Sequence, residues 1–137
     1  MSVDQIPDVV QRLIREQVRS YDALEVLLLL HRGRAQAWRP ADVAAALRLP
    51  EDAAGAALAD LADVRLLVAT STAGALAFRV DVARVDVAAI EQLAAAWDQH
   101  RLAMIKLMNA SALERLRTGA ARALSDAFLF TKRRNDG

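Results

Sequence analysis

Apolar residues near the amino terminus recur at the three- and four-residue spacing of helices. In residues 6–18 these positions are Val9, Val10, Leu13, Ile14 and Val18. Residues 21–31 follow Ser20, a favourable N-cap, and their leucines cover so much of the circumference that this helix should be buried. The pattern predicts a short amphipathic helix and then the central helix of the core, with Gly33 as a left-handed cap.

Two shorter helices are predicted next, over residues 41–47 and 51–64. Val43 and Leu47 lie on one face of the first helix, and residues 48–50 form the tight connection between the two. The second helix carries Glu51 and Asp52 in its first turn, where the helix dipole favours anions. Two short helices joined by such a turn, after a longer helix, are the organisation of a helix-turn-helix.

The period of the pattern then changes to that of strands. Residues 66–69 and 76–80 are compact, partly β-branched runs, and residues 70–74 between them supply turn chemistry. We therefore expect a β-hairpin. Three helices followed by a hairpin are the winged-helix arrangement.

The stretch from residue 38 to residue 67 resembles the corresponding stretch of many bacterial winged-helix regulators. The matching positions are Trp38, Pro40, Val43, Ala44, Leu47, Leu49, Pro50, Ala57, Leu58, Leu61, Leu66 and Leu67. Arg65 departs from the pattern, because such domains often have glycine before the leucine pair. The resemblance covers residues 21–80 and implies a mainly helical winged-helix fold with a small hairpin wing. Transcriptional regulation is the commonest function of that class, although packing residues specify fold better than function.

A longer helix is expected over residues 86–109, about 36 Å at 1.5 Å per residue. Its inward positions alternate steps of three and four, as an a/d seam does, at Ile90, Leu93, Trp97, His100, Met104 and Leu107, and all of these but His100 are apolar. We expect this seam to pair with a second copy of the chain in a homodimer. The alternative is a helix folded back against its own chain, packed on residues 6–18.

The last segment continues at helical spacing and ends in an amphipathic tail. The apolar positions of this spacing are Leu113, Leu116, Ala120, Ala123, Leu124 and Ala127. The tail joins apolar and cationic side chains, namely Phe128, Leu129, Phe130, Lys132, Arg133 and Arg134. We expect such a tail to dock, and four surfaces remain open: the protein's own core, a second subunit, another protein and an anionic membrane.

These elements divide the 137 residues into four parts. They are a helical extension (1–20), a winged-helix domain (21–82), a long dimerising helix (83–110) and the amphipathic tail (111–137). Of the residues, 55% are hydrophobic, yet no run is long enough to span a membrane and the amino terminus does not resemble a signal peptide. The sequence therefore predicts a soluble, cytoplasmic bacterial protein of one core.

The inventory for catalysis is thin. With no cysteine and only two histidines, neither near a second ligand at a metal-binding spacing, we expect no metal site, no cofactor and no enzyme. His31 is expected to cap the end of its helix, and His100 to be a packed or register-setting polar residue. Trp38 and Trp97 are expected to be core or interface aromatics.

The helix expected to enter the major groove of DNA has the wrong charge for that role. It contains Glu51, Asp52, Asp60 and Asp63 and no basic residue before Arg65, which opposes binding to phosphates. If DNA is bound, the candidate phosphate contacts are Arg34, Arg39, Arg48, Ser71 and Thr72. These arginines could equally be solvated or paired with the acidic helix. The competing hypothesis is a protein-interaction adaptor that offers the acidic helix and the tail to partners.

Overall fold

The protein is mainly helical, with one two-stranded sheet, in the part described by this computed structural model. Residues 5–135 are described, and of Thr72 and residues 126–135 only the backbone. The elements are α1 (Asp8–Glu16), α2 (Tyr21–Arg32), α3 (Pro40–Leu47), α4 (Glu51–Asp63), β1 (Leu67–Thr72), β2 (Ala75–Val80), α5 (Val87–Gln99) and α6 (Arg101–Asn135). This order confirms the predicted winged-helix fold with a long carboxy-terminal helix.

Helix α2 is the centre of the core, as its leucines predict. The Ser20 hydroxyl accepts a hydrogen bond from the Ala23 backbone N–H at 3.0 Å, which caps the first turn. Leu24, Leu27 and Leu30 are completely buried. Helix α2 packs against α3, α4, α5 and β2, so it ties the helix-turn-helix to the rest of the chain.

Gly33 ends α2, but its backbone is not in the predicted left-handed conformation, since its φ is −101°. The reason for glycine is space. A Cβ at this position would lie 2.5 Å from Cζ2 of Trp38, whose indole N–H donates to the Gly33 carbonyl at 3.0 Å. The missing side chain therefore lets the indole pack on the end of α2.

The wing is a regular antiparallel hairpin. Its pairs run from Leu67 with Val80 to Thr72 with Ala75, and the two-residue turn Ala73–Gly74 has both φ values positive, 51° and 78°. Such a turn matches the twist of the strands. Trp38 pairs with Phe78 through two backbone hydrogen bonds of 2.7 and 2.8 Å, which fixes the wing to the segment before α3.

The single helix expected over residues 86–109 is two helices, because the backbone turns at His100. There φ is −131° and ψ is 44°. In a continuous helix the Arg101 N–H would bond to the Trp97 carbonyl. Instead the Arg101 side-chain Nε donates to that carbonyl at 3.2 Å, and the guanidinium stacks 4.4 Å from the Trp97 ring centroid. Because the Arg101 side chain replaces the backbone N–H as donor, the chain bends here and the Trp97 carbonyl is still hydrogen-bonded.

The bend places the predicted seam inside the protein's own core. Ile90, Leu93, Trp97, Met104 and Leu107 are all buried within one chain, where α5 and α6 both pack on α1. The expectation that these five side chains contact a second copy is therefore wrong, and the folded-back alternative describes them. The large apolar side chains that α6 leaves exposed in the described part are Leu102, Leu113, Leu116 and Leu124.

Candidate nucleic-acid interface

Helix α4 has the position of a recognition helix and two very different faces. Its inner face, formed by Ala54, Ala57, Leu58 and Leu61, is buried against α2 and α3. Its outer face is exposed and consists of small and acidic residues, namely Glu51, Asp52, Ala56, Ala59, Asp60 and Asp63. Alanines cannot read base edges, and carboxylates repel phosphates.

No described side chain neutralises the acidic face. The ion pair found between described residues joins Arg84 to Asp81 at 4.0 Å, and neither belongs to α4. The four carboxylates of α4 have no side-chain cation within salt-bridge distance in this part of the chain, and the arginines of the helix-turn-helix are not paired with them. Among the described residues, these arginines therefore do not pair with the acidic helix.

Two of the predicted phosphate contacts lie at the two ends of α3. Arg39 precedes the helix, and its backbone N–H donates to the Asp42 carboxylate at 3.2 Å, so its exposed side chain is not needed for the cap. Arg48 follows the helix in a left-handed conformation, with φ of 57°, and its exposed side chain lies in the turn between α3 and α4. Both residues are exposed, and Arg48 lies in the turn that leads into α4.

Arg34 lies apart from this pair, because it closes the end of α2. Its Nη1 donates to the His31 carbonyl at 3.2 Å and lies 3.3 Å from Nδ1 of the His31 ring. At the end of α2, where His31 was expected to act as the cap, the described side-chain hydrogen bond to a carbonyl comes from Arg34, and the imidazole of His31 is buried. Burial, and then the positive charge of Arg34, lower the pKa of His31 below its usual range.

The wing offers hydroxyls and no cation at its tip. Ser71 is exposed near the end of β1, next to the turn Ala73–Gly74. The Thr72 side chain lies outside the described part, so its predicted contact stays a prediction. Arg79, the cation of β2, is half-buried and pairs with Val68 in the sheet register.

Three other expectations concern the tail, a metal site and a membrane-spanning helix. The side chains of the tail, Phe128, Leu129, Phe130, Lys132, Arg133 and Arg134, are not among those described. Among the residues whose side chains are described, no group of histidine and carboxylate side chains could hold a metal ion. In the same part of the chain, no helix has the length and apolar character needed to cross a membrane.

Sequence reasoning did not find one site, a cavity between α1, the end of α4 and the start of α5. It is lined by residues far apart in the chain, among them Arg12, Arg65 and Arg84. The one signal in the sequence was Arg65, where the winged-helix pattern often has glycine. Its φ is positive, at 66°, and this backbone conformation is less favourable for arginine than for glycine.

Comparison with known proteins identifies the fold through structure alone. The sequence matches no protein-family model and is not significantly similar to any curated protein. The structure is similar to MepR, a transcription regulator of the Staphylococcus aureus multidrug efflux pump MepA, with 12% identity, a TM-score of 0.52 and coverage of 86% of this chain and 90% of that one. It is also similar to a MepR variant from S. aureus bound to an oligodeoxyribonucleotide, with 12% identity, a TM-score of 0.51 and coverage of 86% and 89%. The chain therefore has the winged-helix fold found in transcription regulators.

Proposed function

We propose that this protein is a winged-helix transcriptional regulator of the cytoplasm that binds DNA atypically, through phosphates beside α3 and with little sequence readout by α4. The observation that carries this proposal is the placement of Arg39 and Arg48, exposed at both ends of α3 and unpaired with the acids of α4. Its action is binding, not catalysis. The similar MepR variant bound to an oligodeoxyribonucleotide supports DNA binding by a protein of this fold. The acidic outer face of α4 is the reason to propose atypical binding for this chain.

Charge decides between ordinary and atypical binding. Recognition helices gain affinity when cations displace counterions from DNA, and each contact adds about −0.9 to the slope of log affinity against log salt. The outer face of α4 supplies four negative charges and no positive one, so it would oppose this gain. Contacts by Arg39 and Arg48 would then give a small slope, about −2, instead of the steeper slope of an ordinary regulator.

A salt titration against mixed-sequence duplex DNA tests the proposal. We expect binding at low salt that weakens as salt rises, and a slope smaller in magnitude by about 1 for each of Arg39→Ala and Arg48→Gly. Glycine is chosen for Arg48 because it retains the left-handed backbone. Absence of binding at low salt would reject the proposal.

Neutralising the acids gives a second, opposite test. The combined variant Asp52→Asn, Asp60→Asn and Asp63→Asn should bind DNA more tightly, because it removes repulsion from the face nearest the groove. The matched control is Asp98→Asn, an exposed carboxylate on α5. If the control raises the logarithm of the affinity by about a third as much as the triple variant does, the effect is one of net charge and α4 does not face DNA.

We also propose a homodimer, formed by the exposed face of α6 that carries Leu113, Leu116 and Leu124. Leu113, Leu116 and Leu124 are 50%, 70% and 73% exposed and lie on one face of that helix. A row of exposed leucines on one face is typical of a surface that contacts another protein. In light scattering, Leu116→Glu should reduce the molar mass from two chains to one. Leu76→Glu, a change of the same kind at an exposed leucine of the wing, should leave the mass unchanged.

The second candidate is a protein-interaction adaptor, favoured by the unneutralised acids of α4 and by the small residues between them. Such a face would meet a basic partner, and the tail would meet an apolar groove. In that case no DNA binding appears at any salt concentration. Replacing Phe128 and Phe130 with alanine then leaves thermal stability and subunit mass unchanged but abolishes binding to the partner.

A further inference from the structure

A cavity of about 570 Å³ lies between the helical extension and the end of the helix-turn-helix. Its walls come from α1, from the connection between α4 and β1, and from the first turn of α5. The volume is within the range of small-molecule sites. None of the walls belongs to the surface proposed above for DNA.

The floor of the cavity is branched and aliphatic. Val9 and Leu13 of α1 and Val85 before α5 supply this surface. No aromatic side chain lines the cavity, so nothing there can stack on a planar ring. An aliphatic chain therefore suits the floor better than an aromatic body.

The rim of the cavity is cationic. Arg12, Arg65 and Arg84 line it, against the single carboxylate of Asp86, which already accepts a hydrogen bond from the Ala88 N–H at 3.0 Å. Arg84 is also 4.0 Å from Asp81. The side chains of Arg12 and Arg65 have no hydrogen-bond or ion-pair partner among the described residues. Two guanidinium groups at the mouth of an apolar cavity fit an anionic head group, which each can bind with two parallel hydrogen bonds.

Arg65 is held at this rim by two features of the backbone. Its φ of 66° is a conformation that side chains other than glycine rarely adopt. The preceding residue, Val64, is tied to α1 because the Gln17 side-chain amide donates to its carbonyl at 3.2 Å. An arginine in a left-handed conformation at the edge of a cavity points to a role for its side chain.

We propose that this cavity binds a medium-chain aliphatic anion, with the chain on the Val9–Leu13–Val85 floor and the acidic head group between Arg12 and Arg65. A carboxylate or a phosphate monoester could supply that head. The protein's own tail is a poor occupant, because three of its residues are cations. Binding to this site does not depend on the DNA binding proposed above.

Isothermal titration of the full chain with decanoate, kept below its micelle-forming concentration and without DNA, tests the site. We expect saturable binding of one molecule per chain that weakens as salt rises. Decylamine, of equal length and opposite charge, should bind about tenfold more weakly or worse, and so should 2-naphthoate, an anion with a planar body. Decyl phosphate is the second anionic probe, and tighter binding of either decyl anion identifies the preferred head group.

Two matched variants separate the site from general effects. Arg65→Gly removes the cation and relaxes the backbone, so affinity for decanoate should fall about tenfold or more while the fold is retained. Arg48→Gly makes the same change at the other left-handed arginine of the helical part, away from the cavity, and should leave decanoate affinity unchanged. Equal binding of decylamine and decanoate, or equal losses in the two variants, would overturn the proposal.

Discussion

Replacing Gly33 with alanine should destabilise the protein although alanine is the better helix former. The new Cβ would lie 2.5 Å from Cζ2 and 3.1 Å from Cε2 and Nε1 of Trp38. The indole cannot withdraw easily, because its N–H donates to the Gly33 carbonyl and the Trp38 backbone is bonded twice to Phe78. Overpacking of this kind costs about 1–3 kcal/mol.

Part of this cost is offset. Alanine restricts the unfolded chain and so contributes about 0.4–1 kcal/mol to stability where its φ is compatible, and a φ of −101° is compatible. The net loss is then about 1–2 kcal/mol, or roughly 3–7 °C in Tm for a chain of this length. Because Trp38 holds the wing to the segment before α3, the loss should be accompanied by a change in tryptophan fluorescence.

Urea denaturation followed by circular dichroism measures the effect, with Gly55→Ala as the control. Nothing lies within 4 Å of a Cβ at Gly55, in the middle of α4, so alanine there should raise stability by about 0.5–1 kcal/mol. A double-mutant cycle adds Trp38→Phe, which removes the atom nearest the new Cβ, and in that background Gly33→Ala should lose its cost. If Gly33→Ala proves neutral, or equally costly in both backgrounds, the steric explanation is incorrect.

Three further predictions concern single side chains. Ser20→Ala should lower the free energy of unfolding by about 1 kcal/mol in urea titrations by removing the α2 cap, and an unchanged midpoint would contradict it. Arg48→Gly should raise it by up to about 1 kcal/mol by relieving a positive φ, whereas Arg39→Gly, at an extended backbone position, should not. Because the pKa of His31 is lowered on folding, the unfolded chain binds the proton first. The stability from neutral His31 is therefore complete above about pH 6.5 and is lost as pH falls towards the lowered pKa. His31→Gln should make the urea midpoint depend less on pH between about pH 7.5 and 5.5. An equally steep dependence in the variant would count against this assignment.

The winged helix was predictable because each of its signals is local. Ser20 caps a helix at a fixed distance, leucines mark the buried face of α2, and the change of period after residue 65 marks the hairpin. The turn at Ala73–Gly74 also lies where the sequence expected turn residues, although the strands are longer than their apolar runs. Local rules of this kind need no knowledge of tertiary structure.

The helix break and the partner of the seam could not be read from the sequence. No proline or glycine marks the bend at His100, because a side-chain bond from Arg101 to the Trp97 carbonyl replaces the backbone bond. An a/d pattern predicts only that one face of the helix is buried, and here α1 of the same chain covers that face. Gly33 was assigned to its more frequent use, a left-handed cap, while close contact with Trp38 depends on packing.

The candidate interface was predictable in charge but not in geometry. The acids of α4 could be counted in the sequence, and Arg39 and Arg48 could be placed beside them. That Arg34 is occupied by the end of α2 follows only from its bond to the His31 carbonyl. The cavity depends on residues up to 81 positions apart (from Val9 to Ile90), so no sequence window contains it.

The outer part of α6 has a consequence for how this protein responds to its own abundance. Residues 116–125 are exposed throughout, so within one chain this stretch is ordered by its backbone bonds and by nothing packed against it. Isolated helices of that length are marginal in water. If the proposed homodimer covers this stretch, dilution should dissociate the two chains and reduce the ellipticity at 222 nm before the core unfolds, so that the helix content would report the protein concentration.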